Sequence, residues 1–193
     1  MSPVRRMPAY PKQVTLLDGT VARVRPMGKR DERRVLQFFL RIPEEERFFL
    51  KEDVGSPKVI AEWFERLDHD RALPLLALVR NRVIGDAALI RSRTGSRRHV
   101  GEIRLHVDPE FRQRGLGTVL IRELCDIAND AGLERVTVEI VEGVGGAMLE
   151  MVERLGFVRA ATLREHVKDR EGKRHDLATM VLTLGKWHEW WHF

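Results

Sequence analysis

The segment VDPEFRQRGLGTVLIREL, residues 107–124, changes character halfway along. A β-compatible run ends at Val107, and a helical pattern begins at about Gly115 or Leu116 after a basic, glycine-containing turn. The first N–H groups of a helix lack partners within it, and the helix dipole places roughly half a positive charge there, so a diphosphate can satisfy both. Gly115 and Gly117 remove Cβ atoms that would stand between the main chain and an anion's oxygens, while Arg112 and Arg114 add charge. Two other phosphate-binding loops fit worse. A dinucleotide fingerprint needs a small residue at position 120, where Leu120 stands, and a Walker A loop needs Gly-Lys-Ser/Thr, which is absent. A glycine-rich turn that merely closes onto a packed helix stays open as the alternative.

Outward from this segment the periodicity alternates between strand and helix. Residues 14–25 suggest a hairpin about Asp18-Gly19. Residues 31–42 and 57–67 carry apolar side chains at helical spacing. Residues 73–79 and 83–90 suggest a second hairpin about Arg80-Asn81-Arg82, and residues 100–107 a further strand. Leu116, Leu120, Leu124, Ile127 and Ala131 define the strongest helix, with Gly132 as its left-handed cap. A strand over 135–141, a helix over 147–155 closed by Gly156, and two final strands about a turn at 169–173 complete the order. The class expected is α/β (α+β): a central mixed, mostly antiparallel sheet of six to seven strands with about four flanking helices. The expected organisation is an arm over residues 1–13, one domain over 14–184, and an aromatic tail over 185–193.

At 193 residues with 43% apolar and 33% charged side chains, the chain is long enough for one real core, and it holds no apolar stretch long enough to span a bilayer. No membrane segment and a cytoplasmic location are expected. The single Cys125 excludes an intrachain disulfide, and no Cys/His spacing suggests a metal. A net charge of +5 favours anionic partners. Part of it lies in RSRTGSRRH, residues 91–99, which motivates a nucleic-acid-binding module as a rival; without a stacking pattern or a base-reading helix, nucleic acid ranks low as a partner.

RQRGLG at 112–117 resembles the R/Q-x-x-G-x-G/A signature of GNAT acetyltransferases. GEIRLHVDPEFRQRGLG is similar to that family's fourth strand and its following loop, LERVTVEIV to its fifth strand, and MLEMVERLGFV to the next helix with its terminal Gly-Phe. The opening LLDGTVARVRPMGKRDERRVLQFF further resembles the GNAT domain of bacterial protein-lysine acetyltransferases. The resemblance implies an N-acetyltransferase that uses acetyl-CoA as co-substrate and a primary amine as acceptor, a protein lysine being favoured. It also implies a V-shaped split between the family's fourth and fifth strands. Main-chain groups of Leu105, His106 and Val107 would pair with the pantetheine amides, and Arg112, Gln113, Arg114, Gly115, Leu116, Gly117 and Thr118 would hold the phosphates.

An acceptor amine of pKa about 10.4 costs roughly 4.6 kcal/mol to neutralise at pH 7, so a base is useful. Alternation along 100–107 places Glu102, Arg104 and His106 on one face and Ile103, Leu105 and Val107 on the other, which makes Glu102 the candidate. It also matches the fourth-strand glutamate that serves as base in protein-lysine members. A surface glutamate paired with Arg104 is the alternative, with Glu139 and Glu142 in reserve. The sequence departs from the family where its frequent Asn and its frequent Tyr, often the acid for the leaving thiolate, fall on Gly145 and Val152. Tyr10 is the chain's only tyrosine. Water, His106 or His166 would then have to protonate the thiolate, or the chain would be an acyl-CoA-binding regulator without turnover. Cys125, mid-helix, reads as packing. In the tail KWHEWWHF, Trp187, Trp190 and Trp191 share a helical face, as either a clamp over the domain or a homodimer contact; a metal site at His188 and His192 ranks last.

Overall fold

The computed structural model describes residues 9–185, and the tail call on Trp187, His188, Trp190, Trp191 and His192 lies outside the described residues. Among the described residues eight strands form one sheet in the order β1-β2-β3-β4-β5-β6-β8-β7. They are β1 (Lys12–Thr15), β2 (Val21–Pro26), β3 (Ala72–Val79), β4 (Arg82–Arg91), β5 (Val100–Val107), β6 (Arg135–Val141), β7 (Val158–Lys168) and β8 (Arg174–Thr183). Neighbours are antiparallel except β5 and β6. Among the described residues five α-helices flank the sheet: α1 (Glu32–Phe39), α2 (Glu44–Phe48), α3 (Pro57–Glu65), α4 (Leu116–Asp130) and α5 (Gly146–Arg154). None is long and apolar enough to cross a membrane.

The expected six to seven strands become eight because both strands of the opening hairpin join the sheet, β1 pairing Lys12 with Val24 through Thr15 with Val21. The family's fourth and fifth strands are therefore β5 and β6. The expected four helices become five because α2, EEERF, buries none of its residues and so shows no apolar period; three glutamates in its first turn suit the positive end of its dipole.

Two cores lie on opposite faces of the sheet. On one, Leu116, Leu120, Ile121 and Leu124 of α4 pack against Leu75, Ala77, Ile103 and Val138. On the other, Val35, Phe38 and Phe39 of α1 and Ile60 and Phe64 of α3 pack against Leu76 and Leu78. β3 is apolar along its length because it is buried on both sides. Along β5, Ile103 joins the α4 core and Leu105 and Val107 pack against it, so Glu102, Arg104 and His106 face the α1 side. Each buried aliphatic side chain of α4 contributes about 2 kcal/mol relative to exposure.

Asp108 ties the two faces together where β5 ends. Only 1% exposed, it accepts hydrogen bonds from Arg41 Nε at 2.7 Å, from Arg82 at 3.0 Å and from the Glu110 amide. Burial opposes its ionisation, but the two guanidinium groups prevail and hold its carboxyl below the usual range.

Candidate functional site at the strand split and the amino end of α4

β5 and β6 pair over only three positions, Val100 with Arg135, Gly101 with Val136 and Glu102 with Thr137. Beyond Glu102, β5 continues to Val107 against β4, while β6 continues to Val141 against β8. The edge of β5 that faces β6 therefore makes no ladder pairs from Ile103 to Val107, and its main-chain groups need partners from elsewhere. This is a V-shaped opening, and Leu105, His106 and Val107 border it.

α4 begins where β5 delivers the chain past a short turn of 3₁₀ helix, Pro109–Phe111. Gln113 and Gly115 both take left-handed conformations, with φ of 58° and 82°. Left-handed residues in a turn aim successive amides to one side, the arrangement of an anion nest. Gly115 is the N-cap, and no side chain caps the helix there. The Gly117 Cβ position lies 3.0 Å from Met151 Sδ and 3.1 Å from Leu105 Cδ2, so this glycine also lets α4 lie close to α5 and β5. The packing alternative for the glycines and the anion-site reading thus both have a physical basis at this turn. Arg112 is held in a fork by Glu46 Oε1 and Oε2 at 2.9 and 2.6 Å, and Arg114 contacts Asp18 at 2.6 Å and the Phe111 ring. Charge, an amino end of α4 without a side-chain cap and a groove bordered by a strand edge without ladder partners suit an extended, anionic ligand such as acetyl-CoA.

The face of β5 toward α1 carries the titratable groups. Glu102 Oε1 accepts from Lys51 Nζ at 2.8 Å and from Arg104 Nε at 2.8 Å. Lys51 Nζ also lies 2.9 Å from Glu139 Oε2 across the split. Partial burial disfavours the charged form of Glu102, but the hydrogen bonds and charges of Lys51 and Arg104 outweigh it and keep the carboxyl below its ordinary range. The pairing of Glu102 with Arg104 anticipated as an alternative is present, and Lys51 is added to it. His106 Nδ1 lies 3.4 Å from Asp86 Oδ2 on the adjacent strand, and its ring meets Phe39 edge-on at 5.4 Å. Asp86 is buried, with Oδ1 lacking a partner among the described residues.

Of the reserve carboxylates, Glu139 joins this cluster. Glu142 does not, being paired with Arg159 beside an open hollow on the β7 side. His166 is exposed on β7, separated from β6 by β8. Tyr10 is committed elsewhere: its hydroxyl donates to Glu123 of α4 at 2.6 Å, and burial followed by that carboxylate drives its pKa upward. Val152 is fully buried, and a Cβ at Gly145 would come within 2.6 Å of Ile140 Cγ2, so both departures from the family pattern are built into the packing. The Cys125 thiol is buried and pushed up to about 12 by desolvation and by Asp126, which leaves it no nucleophilic role near neutral pH.

Several residues that shape the site escape sequence reading. Lys51, Glu46 and Asp86 have no motif and meet their partners only through the fold. Asp108 alone had a local signal, an Asp before Pro-Glu that caps a turn. A further cavity of about 210 Å³ lies among Glu46, Phe49, Val144, Asp169 and His175, where α2 meets the β7–β8 hairpin beside Arg112.

Comparison with known proteins agrees with this geometry. The acetyltransferase (GNAT) family model matches residues 36–157. An L-amino acid N-acyltransferase, MnaT of Escherichia coli K12, is 36% identical over 87 residues, 45% of this chain and 49% of that protein, so the chain spans about half the length of this curated relative. Among solved structures, a GNAT-family acetyltransferase from Streptococcus pneumoniae superposes with a TM-score of 0.74 at 19% identity, covering 84% of this chain and 99% of that one. The GNAT domain of S. lividans PAT gives 0.70 at 21%, covering 90% and 96%. With this sheet, its split and the family match across most of the domain, the chain belongs to the GNAT acetyltransferase family.

Proposed function

We propose that this protein transfers an acetyl group from acetyl-CoA to a primary amine, with a lysine side chain as the favoured acceptor, by direct attack in a ternary complex. The observation that carries the reading is the uncapped amino end of α4, opening beside a strand edge that has lost its ladder partner.

Bound acetyl-CoA would supply an activated acyl carbon. The amides of Gly115, Leu116, Gly117 and Thr118 bind the diphosphate, helped by Arg112, Gln113 and Arg114, and each charge-assisted bond contributes about 2 kcal/mol. Main-chain groups of Leu105, His106 and Val107 align the pantetheine along β5. Glu102 takes the proton from the acceptor ammonium; its carboxylate is ionised across the neutral range and so able to accept it, while Lys51 and Arg104, which hold its pKa down, make it a weaker base than an unpaired carboxylate. With Val152 and Tyr10 both unavailable, solvent or His106 returns a proton to the thiolate. The relative named for L-amino acids makes an α-amine the second acceptor class.

The buried Val152 favours one competing reading, an acyl-CoA-binding regulator without turnover. Calorimetry with acetyl-CoA together with a broad amine panel separates them, since tight binding without product would select the regulator. The decisive assay for the acceptor treats cell extract with this protein and isotope-labelled acetyl-CoA. Labelled acetyl-lysine peptides are expected by mass spectrometry; label confined to free amino acids would replace the lysine assignment, and no label would remove the enzyme reading.

A further inference from the structure

Two carboxylates, one on each of the strands that diverge to form the split, meet a single amine that belongs to the protein itself. Lys51 Nζ is 2.8 Å from Glu102 Oε1 on β5 and 2.9 Å from Glu139 Oε2 on β6. β5 and β6 separate beyond the pair Glu102–Thr137, and Glu139 is two residues further along β6, so the ammonium bridges the split at the point where it opens. The loop that carries Lys51 is pinned on both sides. The Phe49 ring meets His175 edge-on at 5.4 Å, and Glu52 accepts a hydrogen bond from the Trp63 indole. The Lys51 side chain is nonetheless 48% exposed, so its amine sits in an open site rather than in a sealed core.

A base must lie within hydrogen-bond reach of the proton it abstracts, and Lys51 already stands in that relation to Glu102. We infer that Lys51 is an acceptor of the protein's own acyl transfer, modified within the same chain. This rests on the reading of Glu102 as base and of acetyl-CoA as donor. The step balances as follows. The Lys51 ammonium yields one proton to Glu102 and thence to water; the freed Nζ lone pair forms the N–C bond to the thioester carbonyl carbon; the C–S bond breaks with its electron pair going to sulfur. A second proton lost from Nζ ends on the thiolate, giving Nε-acetyl-Lys51 and free CoA. The acetylated side chain carries no charge and can no longer bridge Glu102 and Glu139.

The test incubates the full chain with isotope-labelled acetyl-CoA and no added acceptor, then maps the label by peptide mass spectrometry. One label per chain on Lys51 is expected, with a first-order rate that stays constant over a tenfold range of protein concentration, and its loss in Lys51→Arg. Label scattered over many lysines to the same extent in urea-unfolded chain would overturn the inference, as would a rate proportional to protein concentration. If added amines are acetylated while Lys51 stays unlabelled, the inference fails and the proposed function stands; if calorimetry finds no acetyl-CoA binding, both fail. A donor-free readout checks the bridge itself. In NMR titration the Glu102 carboxyl should titrate at higher pH in Lys51→Met than in the parent chain, because one of the cations holding it ionised is gone. An unchanged titration would show that Lys51 does not reach Glu102, and would equally overturn the inference.

Discussion

The two ends of the split are built in opposite ways. The α4 end is assembled from one contiguous run, residues 107–118, and presents main-chain amides set by left-handed Gln113 and Gly115. The end toward α1 is assembled from side chains of separate segments: Glu102 on β5, Glu139 on β6, Asp86 on β4, Phe39 on α1 and Lys51 between α2 and α3. Each end also carries counter-charges of its own. Glu46 and Asp18 hold the arginines, and Lys51 holds the carboxylates. A contiguous main-chain site fixes a constant ligand, whereas a site of converging side chains can be rebuilt for a different acceptor without disturbing the first.

The largest expected effect strikes the joint between the two ends. Asp108→Ala removes the acceptor shared by Arg41 and Arg82 and uncaps the turn before α4, and should cost about 3 kcal/mol in urea unfolding. The pH dependence has a definite sign. Since the folded carboxyl is held below its unfolded value of about 3.9, its stabilisation is present above that pH and is lost as pH falls through the lower folded value. Asp108→Asn should therefore flatten the acid limb of a stability-versus-pH curve; an unaltered limb would show that the cluster is not formed.

Next in size, Glu102→Gln should lower turnover about 100-fold, at the lower end for a lost general base, while acetyl-CoA affinity stays within about twofold. Equal losses in both would mean that the two ends are not separable. Arg114→Ala should do the reverse, weakening acetyl-CoA binding about tenfold with little change in saturated turnover, as read by calorimetry and steady-state kinetics. The smallest effect belongs to the turn itself. Gly115 sits at φ 82°, and a Cβ there would lie 3.2 Å from Leu17 Cγ, so Gly115→Ala should cost about 1 kcal/mol in a thermal melt.

The same contrast explains what was legible in the sequence. Helix α4 announces itself because Leu116, Leu120 and Leu124 repeat on one face and Gly132 caps its end at φ 78°. The turn before it is legible because its glycines and arginines are adjacent in the chain. The face assignment of Glu102, Arg104 and His106 follows from the two-residue period of a strand and agrees with the packing of Ile103, Leu105 and Val107 on the α4 side and of His106 against Phe39 on the other. Helix α2 was missed because EEERF has no buried face. Lys51 escapes sequence reading because nothing local marks a lysine in KED as the partner of glutamates 51 and 88 residues away; the pairing of β5 with β6 sets the two glutamates close together, and the segment between α2 and α3 brings Lys51 to them.

The proposed grip of the α4 amides on the diphosphate of the donor can be observed amide by amide. A titration of ¹⁵N-labelled protein with acetyl-CoA tests it directly. The largest saturable shifts are predicted for Leu116, Gly117 and Thr118, with smaller ones along Leu105 to Val107. Saturable shifts confined to the β7–β8 hairpin, with the α4 amides unmoved, would show that the donor does not bind at the amino end of α4.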